Sequence, residues 1–269
     1  MMPVREGDTR HVLITGASSG IGEALARVFA RHGFNLALNA RRAERLSALK
    51  TELEASYDVR VLSLPGDLAN PETPEMIHST LRQADIHIDG LVNNAGYNSR
   101  GAIPDTPWQA KRDQLQLMAI APYALTQLFL PAMRERNYGR ILNVASVVGL
   151  LPGGVSNALY SGVKGMQVAF SEALHIDELT HGIHVTALCP GLTTSEFHDV
   201  DGSRSELRYV PKFLWHSSES VAEAGYKALS RNKIICVPGL FYKTAIAAAR
   251  VTPRRLANSI AAHAARKGR

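Results

Sequence analysis

The sequence has few of the residues that mark secreted, membrane-spanning or metal-binding proteins. Only two cysteines, Cys189 and Cys236, occur among 269 residues, and each lies in an apolar, strand-like run without metal-ligand spacing. We therefore expect buried free thiols, no metal site and no redox chemistry from cysteine. No run of roughly 18 apolar residues occurs, and the N-terminal MMPVREGDTR is charged where a secretion signal is apolar. These absences predict a soluble cytoplasmic protein.

Acidic residues are missing from the C-terminal segment, which explains the net charge. Residues 243–269 hold seven Lys and Arg and no Asp or Glu, so the rest of the chain sums to −1 against a total of +6. A nucleic-acid-binding function is therefore disfavoured, because the charge is confined to a tail and no reader motif is present. The tail predicts two helical pieces separated by Pro253. They would either make weak contact with an acidic membrane surface or carrier, or pack on this subunit or a neighbour.

Short apolar runs alternate with longer segments whose apolar residues recur at helical spacing. The predicted strands are 11–16, 34–40, 59–66, 88–96, 139–146, 183–191 and 233–239. The predicted helices are 20–32, 42–56, 71–84, 109–136, 157–181 and 218–230. Such alternation predicts a doubly wound, seven-stranded parallel α/β sheet with helices on both faces. We expect one domain over 11–240, an N-terminal extension over 1–10 and a basic helical extension over 241–269.

The first predicted strand runs directly into TGASSGIG, residues 15–22, and then into a helix. Gly16 permits a tight turn, while Gly20 and Gly22 let the backbone approach a pyrophosphate at the helix N-terminus. A glycine triplet alone is equally typical of an ordinary strand-to-helix turn. The strand before it and the strand–helix–strand unit around it favour a Rossmann dinucleotide site.

Cofactor choice is encoded about 20 residues further on, where an acidic side chain selects NAD. Asn39, Ala40, Arg41 and Arg42 stand there instead. Arg41 can bind a 2′-phosphate through charge-assisted hydrogen bonds, which predicts NADP(H). The alternative is that Arg41 and Arg42 merely solvate the start of the next helix.

Taken together, the motifs resemble those of the classical short-chain dehydrogenase/reductase family over roughly residues 10–240. The motifs, in order, are TGASSGIG, NNAG at 93–96, Ser146 in NVAS, YSGVK at 160–164 and PGLTTSEF from 190. The resemblance implies that Asp67 contacts adenine, that Asn93, Asn94 and Gly96 pass beside the ribose, and that Gly191 to Thr194 lie along the nicotinamide. The full set of implied cofactor residues is Gly16, Ser18, Ser19, Gly20, Ile21, Gly22, Arg41, Asp67, Leu68, Asn93, Asn94, Ala95, Gly96, Tyr160, Lys164, Pro190, Gly191, Thr193 and Thr194.

Tyr160 and Lys164 are the candidate catalytic pair. Four residues apart in one predicted helix, they share a face. A phenol with a pKa near ~10 is a poor base at neutral pH, and a nearby ammonium favours its ionised form. Ser146, at the end of the preceding strand, is expected to face the same crevice. A Tyr and a Lys on a solvated helix face would be the alternative for an isolated pair.

One position departs from the family pattern. Members usually carry an asparagine in the helix between the fourth and fifth strands, where it helps to hold a water on the lysine. Met118 stands at that place, and a thioether is only a weak acceptor. Either Met118 is a packing residue in a subgroup that does without the asparagine, or catalysis is impaired.

The stretch after Pro190-Gly191 predicts the substrate end. Its aromatic and leucine side chains suggest a lid over an apolar substrate, or equally a loop with local core contacts. These residues are Phe197, Tyr209, Phe213, Leu214 and Trp215. His198 is a lone histidine without a matched metal or acid–base partner.

The leading hypothesis is an NADP(H)-dependent enzyme that moves a hydride between nicotinamide and a carbonyl or secondary alcohol of a small-molecule substrate. The alternative, prompted by Met118, is a non-catalytic NADP(H)-binding regulator. The resemblance also implies a homo-oligomer.

Overall fold

The computed structural model describes residues 6–7, 9–98, 103–151, 158–196, 210–253, 255–256 and 258–259. Its strands are β1 (His11–Thr15), β2 (Asn35–Ala40), β3 (Val61–Pro65), β4 (Ile88–Asn93), β5 (Gly139–Val144), β6 (Ile183–Leu188), β7 (Thr193–Thr194), β8 (His216–Ser217) and β9 (Ile235–Cys236). Its helices are α1 (Gly20–Arg31), α2 (Ala43–Ser56), α3 (Thr73–Gln83), α4 (Trp108–Leu115), α5 (Ala121–Glu135), α6 (Ala158–Asp177), α7 (Ser218–Ser230) and α8 (Leu240–Val251).

Seven strands form one sheet in the order β3-β2-β1-β4-β5-β6-β9. Every neighbouring pair is parallel, which confirms the predicted doubly wound sheet. The strand order reverses between β1 and β4, and such sheets bind ligands in the crevice at this point. Strands β7 and β8 pair with each other in a separate ribbon.

Successive residues of the central strands face opposite helical layers. Val12 and Ile14 of β1 pack in a cluster that includes α1, α2 and α7, whereas Leu13 packs in a second cluster with α3, α5 and α6. This period of two is a property of extended backbone. Because both faces are buried, the strands read as continuous apolar runs rather than as alternating ones.

The helix predicted over 109–136 is divided by a π-helical turn, Gln116–Ile120, between α4 and α5. The amide of Ala121 bonds to the carbonyl of Gln116, five residues earlier. In a regular α-helix the amide at position 122 would bond to the Met118 carbonyl, but Pro122 has no N–H. The irregular turn therefore follows from a proline that the sequence displays.

The segment Trp108–Glu135 is long and apolar enough to cross a membrane by length and composition alone. In the fold, however, its Leu125, Phe129 and Met133 side chains are buried in the second core cluster. We assign its apolar face to that core.

All seven predicted strands are shorter in the structure, including the last two. The one predicted over 183–191 ends at Leu188, ahead of Pro190, which cannot donate to a strand ladder. Of the segment predicted over 233–239, only Ile235–Cys236 pairs with β6.

The predicted C-terminal extension begins with α8, which packs on the domain. Ile246 is 6% exposed. The Tyr242 hydroxyl accepts from the Leu192 amide and donates to the Leu214 carbonyl. The second helical piece, beyond Pro253, lies largely outside the described residues.

We predict that Phe29→Ala lowers the free energy of unfolding by about 3–5 kcal/mol, because it leaves a cavity in the core. Phe29 is 1% exposed and packs edge-on against Phe34 and Tyr226, with ring centroids 5.3 and 5.2 Å away. Urea denaturation measures the loss. Phe241→Ala, at a side chain that is 51% exposed, is the control and should cost less than about 1 kcal/mol. Equal losses in the two variants would contradict this account of the core.

Candidate active site

One threonine ties the carboxyl ends of β1 and β4 together. Thr15 Oγ1 donates to the Val92 carbonyl at 3.1 Å and accepts from the amides of Asn94 and Ala95, at 3.0 and 3.1 Å. Asn94 Nδ2 donates to the carbonyls of Thr15 and Gly16, at 2.9 and 3.2 Å. The 93–96 segment thus fixes the glycine-rich turn. The side-chain amide of Asn94 is occupied by its hydrogen bonds to that turn.

The turn requires glycine because the backbone curls back on itself. Gly16 and Gly20 have φ of +66° and +59°, which is the left-handed region that favours glycine. A Cβ on Gly22 would lie 2.3 Å from the Gly16 carbonyl oxygen. The hydroxyl of Ser19 does not cap α1, so the first-turn amides are left for an anion. Ile21 packs against the core, and the turn as a whole fits a pyrophosphate.

Asn93 lies inside the sheet. It is 3% exposed, and its Nδ2 donates to Asn143 Oδ1 at 2.9 Å, while Asn143 Nδ2 donates to Ser171 Oγ at 2.9 Å. This buried chain of side chains joins β4 to β5 and α6. Any contact of the segment with a ribose is therefore left to its backbone around Gly96.

Arg42, rather than Arg41, reaches the glycine-rich turn. Its guanidinium donates to Ser18 Oγ at 3.1 Å and to Ser19 Oγ at 2.9 Å. It also pairs with the Glu196 carboxylate at 2.9 Å. Arg42 therefore does more than solvate the start of α2, which was the alternative open to it from sequence.

Arg41 stands at the outer side of the same crevice. Its side chain is 71% exposed, and its Nη1 lies 3.8 Å from Asp67 Oδ2. The other oxygen of Asp67 accepts from the amide of Ala69 at 3.0 Å, and Leu68 is buried beneath. Asp67 and Arg41 thus lie side by side, after β3 and β2, where an adenosine end would be bound.

Ser146 follows β5 and begins a 3₁₀ turn over Val147–Leu150. Its Oγ accepts from the Val148 amide at 3.2 Å, so its hydroxyl proton is left to donate. The turn packs on α6, since a Cβ on Gly149 would lie 2.5 Å from the Lys164 carbonyl oxygen. The turn that begins at Ser146 is thereby packed against α6 at the position of Lys164.

Lys164 lies beside Tyr160 on α6, as the spacing predicts. Its Nζ is 5.6 Å from the centre of the Tyr160 ring. The same nitrogen donates to the Val144 carbonyl, at the end of β5, at 2.7 Å and to Gln167 Oε1 at 2.9 Å. The lysine is therefore fixed by two acceptors rather than free in a solvated crevice.

Burial weakens the charged form of this lysine. Lys164 is 4% exposed, and its removal from water lowers its pKa to about 7. Burial also raises the pKa of the neighbouring Cys189 thiol to about 12, so that group stays neutral near physiological pH. Burial thus brings the pKa of this amine close to neutral pH.

The turn after β6 is held by a residue of the C-terminal helix. Tyr242 of α8 accepts from the Leu192 amide at 3.1 Å and donates to the Leu214 carbonyl at 2.8 Å. A Cβ on Gly191 would lie 2.1 Å from the Tyr242 ring, so glycine is needed there for a close approach.

The predicted nicotinamide segment is also fixed by its own polar groups. The carbonyl of Pro190 accepts from the Val147 amide at 3.0 Å. Thr193 Oγ1 donates to the Gly191 carbonyl at 3.1 Å. The backbone carbonyl of Thr194 accepts from Ser218 Oγ at 3.0 Å. The 190–194 segment therefore lies directly beside the turn that carries Ser146.

Part of the predicted lid is described. Lys212–Leu214 forms a short 3₁₀ turn, and Phe213 is 70% exposed with its ring 6.1 Å from that of Phe241. Phe197, His198 and Tyr209 lie outside the described residues.

The glycine-rich turn, the crevice at the strand switch and the residues Ser146, Tyr160 and Lys164 match the pattern expected of a dinucleotide-binding oxidoreductase. Residues 10–204 match the family described as short chain dehydrogenase. The chain is also 33% identical over 231 residues to the Bos taurus protein named Dehydrogenase/reductase SDR family member 7B, covering 82% of this chain and 71% of that one. The protein belongs to the short-chain dehydrogenase/reductase family, which confirms the resemblance.

Solved structures agree with this assignment. A short-chain dehydrogenase from Sphingobium yanoikuyae in complex with NADPH superposes with a TM-score of 0.80 and 30% identity, covering 90% of this chain and 93% of that one. L-sorbose reductase from Gluconobacter frateurii, complexed with NADPH and L-sorbose, gives 0.77 and 27%, covering 88% and 97%.

Three side chains at the site were missed or left undecided from sequence. Arg42 could not be separated from Arg41 by spacing alone. Gln167 follows Lys164 by three residues, and residues at this spacing lie on the same helix face. The sequence alone could therefore have predicted their contact. Tyr242 contacts the crevice from about 50 residues along the chain, and no local pattern indicates such a contact.

We predict that the stability of the protein rises with pH relative to Lys164→Met. An unfolded lysine stays protonated up to its ordinary pKa, whereas the folded one releases its proton near pH 7. Between these values the unfolded chain binds more protons, so the free energy of unfolding increases by about 2 kcal/mol from pH 7 to 9. Urea denaturation of both proteins at the two pH values measures the difference. Lys227→Met, at an exposed lysine of α7, should behave like the wild type, and a pH-independent gap between wild type and Lys164→Met would refute the buried titration.

Proposed function

We propose that the protein is an NADP(H)-dependent oxidoreductase that interconverts a carbonyl and a secondary alcohol on an apolar small molecule. The observation that carries this proposal is the placement of the buried Lys164 amine. It lies 5.6 Å from the centre of the Tyr160 ring and donates to the Val144 carbonyl, two residues before Ser146. A solvated Tyr–Lys pair, the alternative from sequence, would not bury the amine against the Val144 carbonyl at 2.7 Å.

A bound nicotinamide cofactor would supply the hydride chemistry. The glycine-rich turn and the first turn of α1 would hold its pyrophosphate, and the 190–194 segment would lie along its nicotinamide. The closeness of that segment to the turn that carries Ser146 supports this arrangement.

The chain's own groups manage the proton. Ser146 and Tyr160 donate hydrogen bonds to the substrate oxygen, and Tyr160 transfers its phenolic proton to that oxygen as negative charge develops there. In the oxidation direction Tyr160 takes the proton back. Lys164, in its ammonium form, stabilises the resulting phenolate through its charge.

Two arginines support the choice of NADP(H). The positions after β2 hold Arg41 and Arg42 and no acid, and Arg42 already contacts the serines of the glycine-rich turn. A 2′-phosphate placed there would find two guanidinium groups. The NADPH complexes among the similar structures point the same way.

The non-catalytic alternative has less support. It was prompted by Met118, and the similar proteins compared above carry dehydrogenase or reductase names. Phe213 and Phe241 are exposed and adjoin Leu214 and Tyr242, the pair that holds the turn after β6. These aromatic side chains favour an apolar substrate.

A homo-oligomer is part of the proposal, with a cytoplasmic location. Large apolar side chains are exposed on the outer faces of α5 and α6, among them Tyr123 at 53% and Ile176 at 63%. Such faces are typical of subunit contacts. Weak membrane contact through the tail stays a separate hypothesis.

We predict that Tyr160→Phe lowers kcat at least about 100-fold, because the proton donor is lost while the ring remains. NADPH consumption with a panel of ketones and aldehydes measures it. NADPH affinity, followed by fluorescence titration, should change less than about threefold, since the phenol is not needed for pyrophosphate binding. Wild-type turnover in this variant would refute the mechanism.

We predict that Arg41→Ala and Arg42→Ala each raise the Kd of NADPH about 10- to 100-fold, the effect of losing a hydrogen bond to a charged group. The Kd of NADH, which lacks the phosphate, is the internal control and should change little. Arg45→Ala, which removes another partner of Glu196, is the matched variant. Equal losses for both cofactors would show that these arginines only support the turn.

A further inference from the structure

The side chain of Gln167 lies between the active-site lysine and a helix carbonyl. Its Oε1 accepts from Lys164 Nζ at 2.9 Å, and its Nε2 donates to the Met118 carbonyl at 2.7 Å. Gln167 is 5% exposed, and a buried amide is costly unless it is paired. Both ends of the amide are used, one of them on the amine that the proposed mechanism needs.

The Met118 carbonyl is available for this contact because of the chain around it. Pro122 has no N–H to offer in the following turn. The π-helical geometry of 116–120 changes the hydrogen-bond pattern at this point. Gln167 Nε2 donates to the Met118 carbonyl instead. The irregular turn is therefore linked to α6 through a side chain.

The side chain of Met118 itself plays no polar part in the link. It is fully buried in an apolar cluster with Val163, against which Tyr160 packs. The thioether therefore supports the floor of the site through packing, while the backbone of the same residue makes the polar contact.

We propose that Gln167 is the positioning residue of this site: it couples Lys164 to the π-helical turn at Met118 and supplies the polar link that the Met118 side chain does not. The role of Lys164 in turnover rests on the proposed function, but the link is a property of the free protein. The backbone of Gln167 is also bonded, since its main-chain carbonyl accepts from Ser171 Oγ at 2.7 Å.

The groups around Lys164 make its titration a clean report on Gln167. Tyr160 faces it from one turn earlier on α6, and Cys189 faces it from the end of β6. Both of these residues are present in every Gln167 variant. The amide oxygen stabilises the ammonium form, so removing it and charging it should have opposite effects on the lysine pKa.

The experiment is an NMR titration of the Lys164 side chain in the cofactor-free protein, with the signal assigned through Lys164→Met. Gln167→Leu should lower the midpoint by about one pH unit, because an acceptor for the ammonium is lost. Gln167→Glu, nearly the same size, should raise it by about one unit or more, because it places a carboxylate against the amine. A merely structural role would not give shifts of opposite sign.

The matched control is Gln114→Leu. Gln114 is also fully buried, and its amide contacts the Tyr97 carbonyl at 3.2 Å and Met118 Sδ at 3.9 Å, on the other side of the same methionine. Losing it should leave the Lys164 midpoint unchanged. An unchanged midpoint in Gln167→Glu would overturn the proposal, and this variant decides the matter if Gln167→Leu does not fold.

A kinetic measurement separates this inference from the proposed function. The acid limb of kcat/KM against pH should move in the same directions as the NMR midpoints. If the wild type turns over no carbonyl in the panel, the proposed function fails while the titration still decides the role of Gln167. If turnover is normal and the midpoints do not move, only the inference fails.

Discussion

The hydrogen bond from the buried amine of Lys164 to the Val144 carbonyl is the contact on which the arrangement of the site depends. It joins α6 to the end of β5, two residues before Ser146. Removing an amine from water is unfavourable, and the unsatisfied group would cost more than the bond gains. The helix is therefore held where the amine finds its acceptors, and Tyr160 is held with it.

Other polar contacts extend this constraint across the sheet. The chain from Asn93 through Asn143 to Ser171 crosses from β4 to α6 inside the core. Thr15 and Asn94 connect the same β4 end to the glycine-rich turn. Bonds between buried polar side chains favour one arrangement of the groups that they join, although Asn93 Oδ1 has no partner among the described residues. The glycine-rich turn and the end of β5 are consequently tied to the same strand, β4.

Sequence patterns were sufficient for the sheet because parallel strands are buried on both faces and read as apolar runs. They were also sufficient for the glycine turn and for the approach of Lys164 to Tyr160, since both follow from local spacing. They were insufficient where side-chain direction decides. The guanidinium of Arg42, and not that of Arg41, donates to Ser18 and Ser19, and the spacing of these residues in the sequence does not show this.

Long-range contacts were equally beyond local patterns. The consequence of Pro122 was missed, because one helix was predicted over 109–136 although a proline inside a helix removes a backbone N–H. What it does here depends on Gln167, which approaches from another helix. The family roles of individual cofactor residues stay predictions, and for Asn93 and Asn94 the side chains are already used inside the fold.

The contact of Tyr242 with the turn after β6 has a practical consequence for how the chain is cut or extended. By sequence, residues past 240 look like a removable appendage, because their charge and alanine content differ from the rest. Yet the phenol that bridges Leu192 and Leu214 lies in the first turn of α8. A shortened protein meant to isolate the basic tail should keep α8 and end after Val251. A label attached beyond that helix leaves the contacts of Tyr242 with the turn after β6 intact.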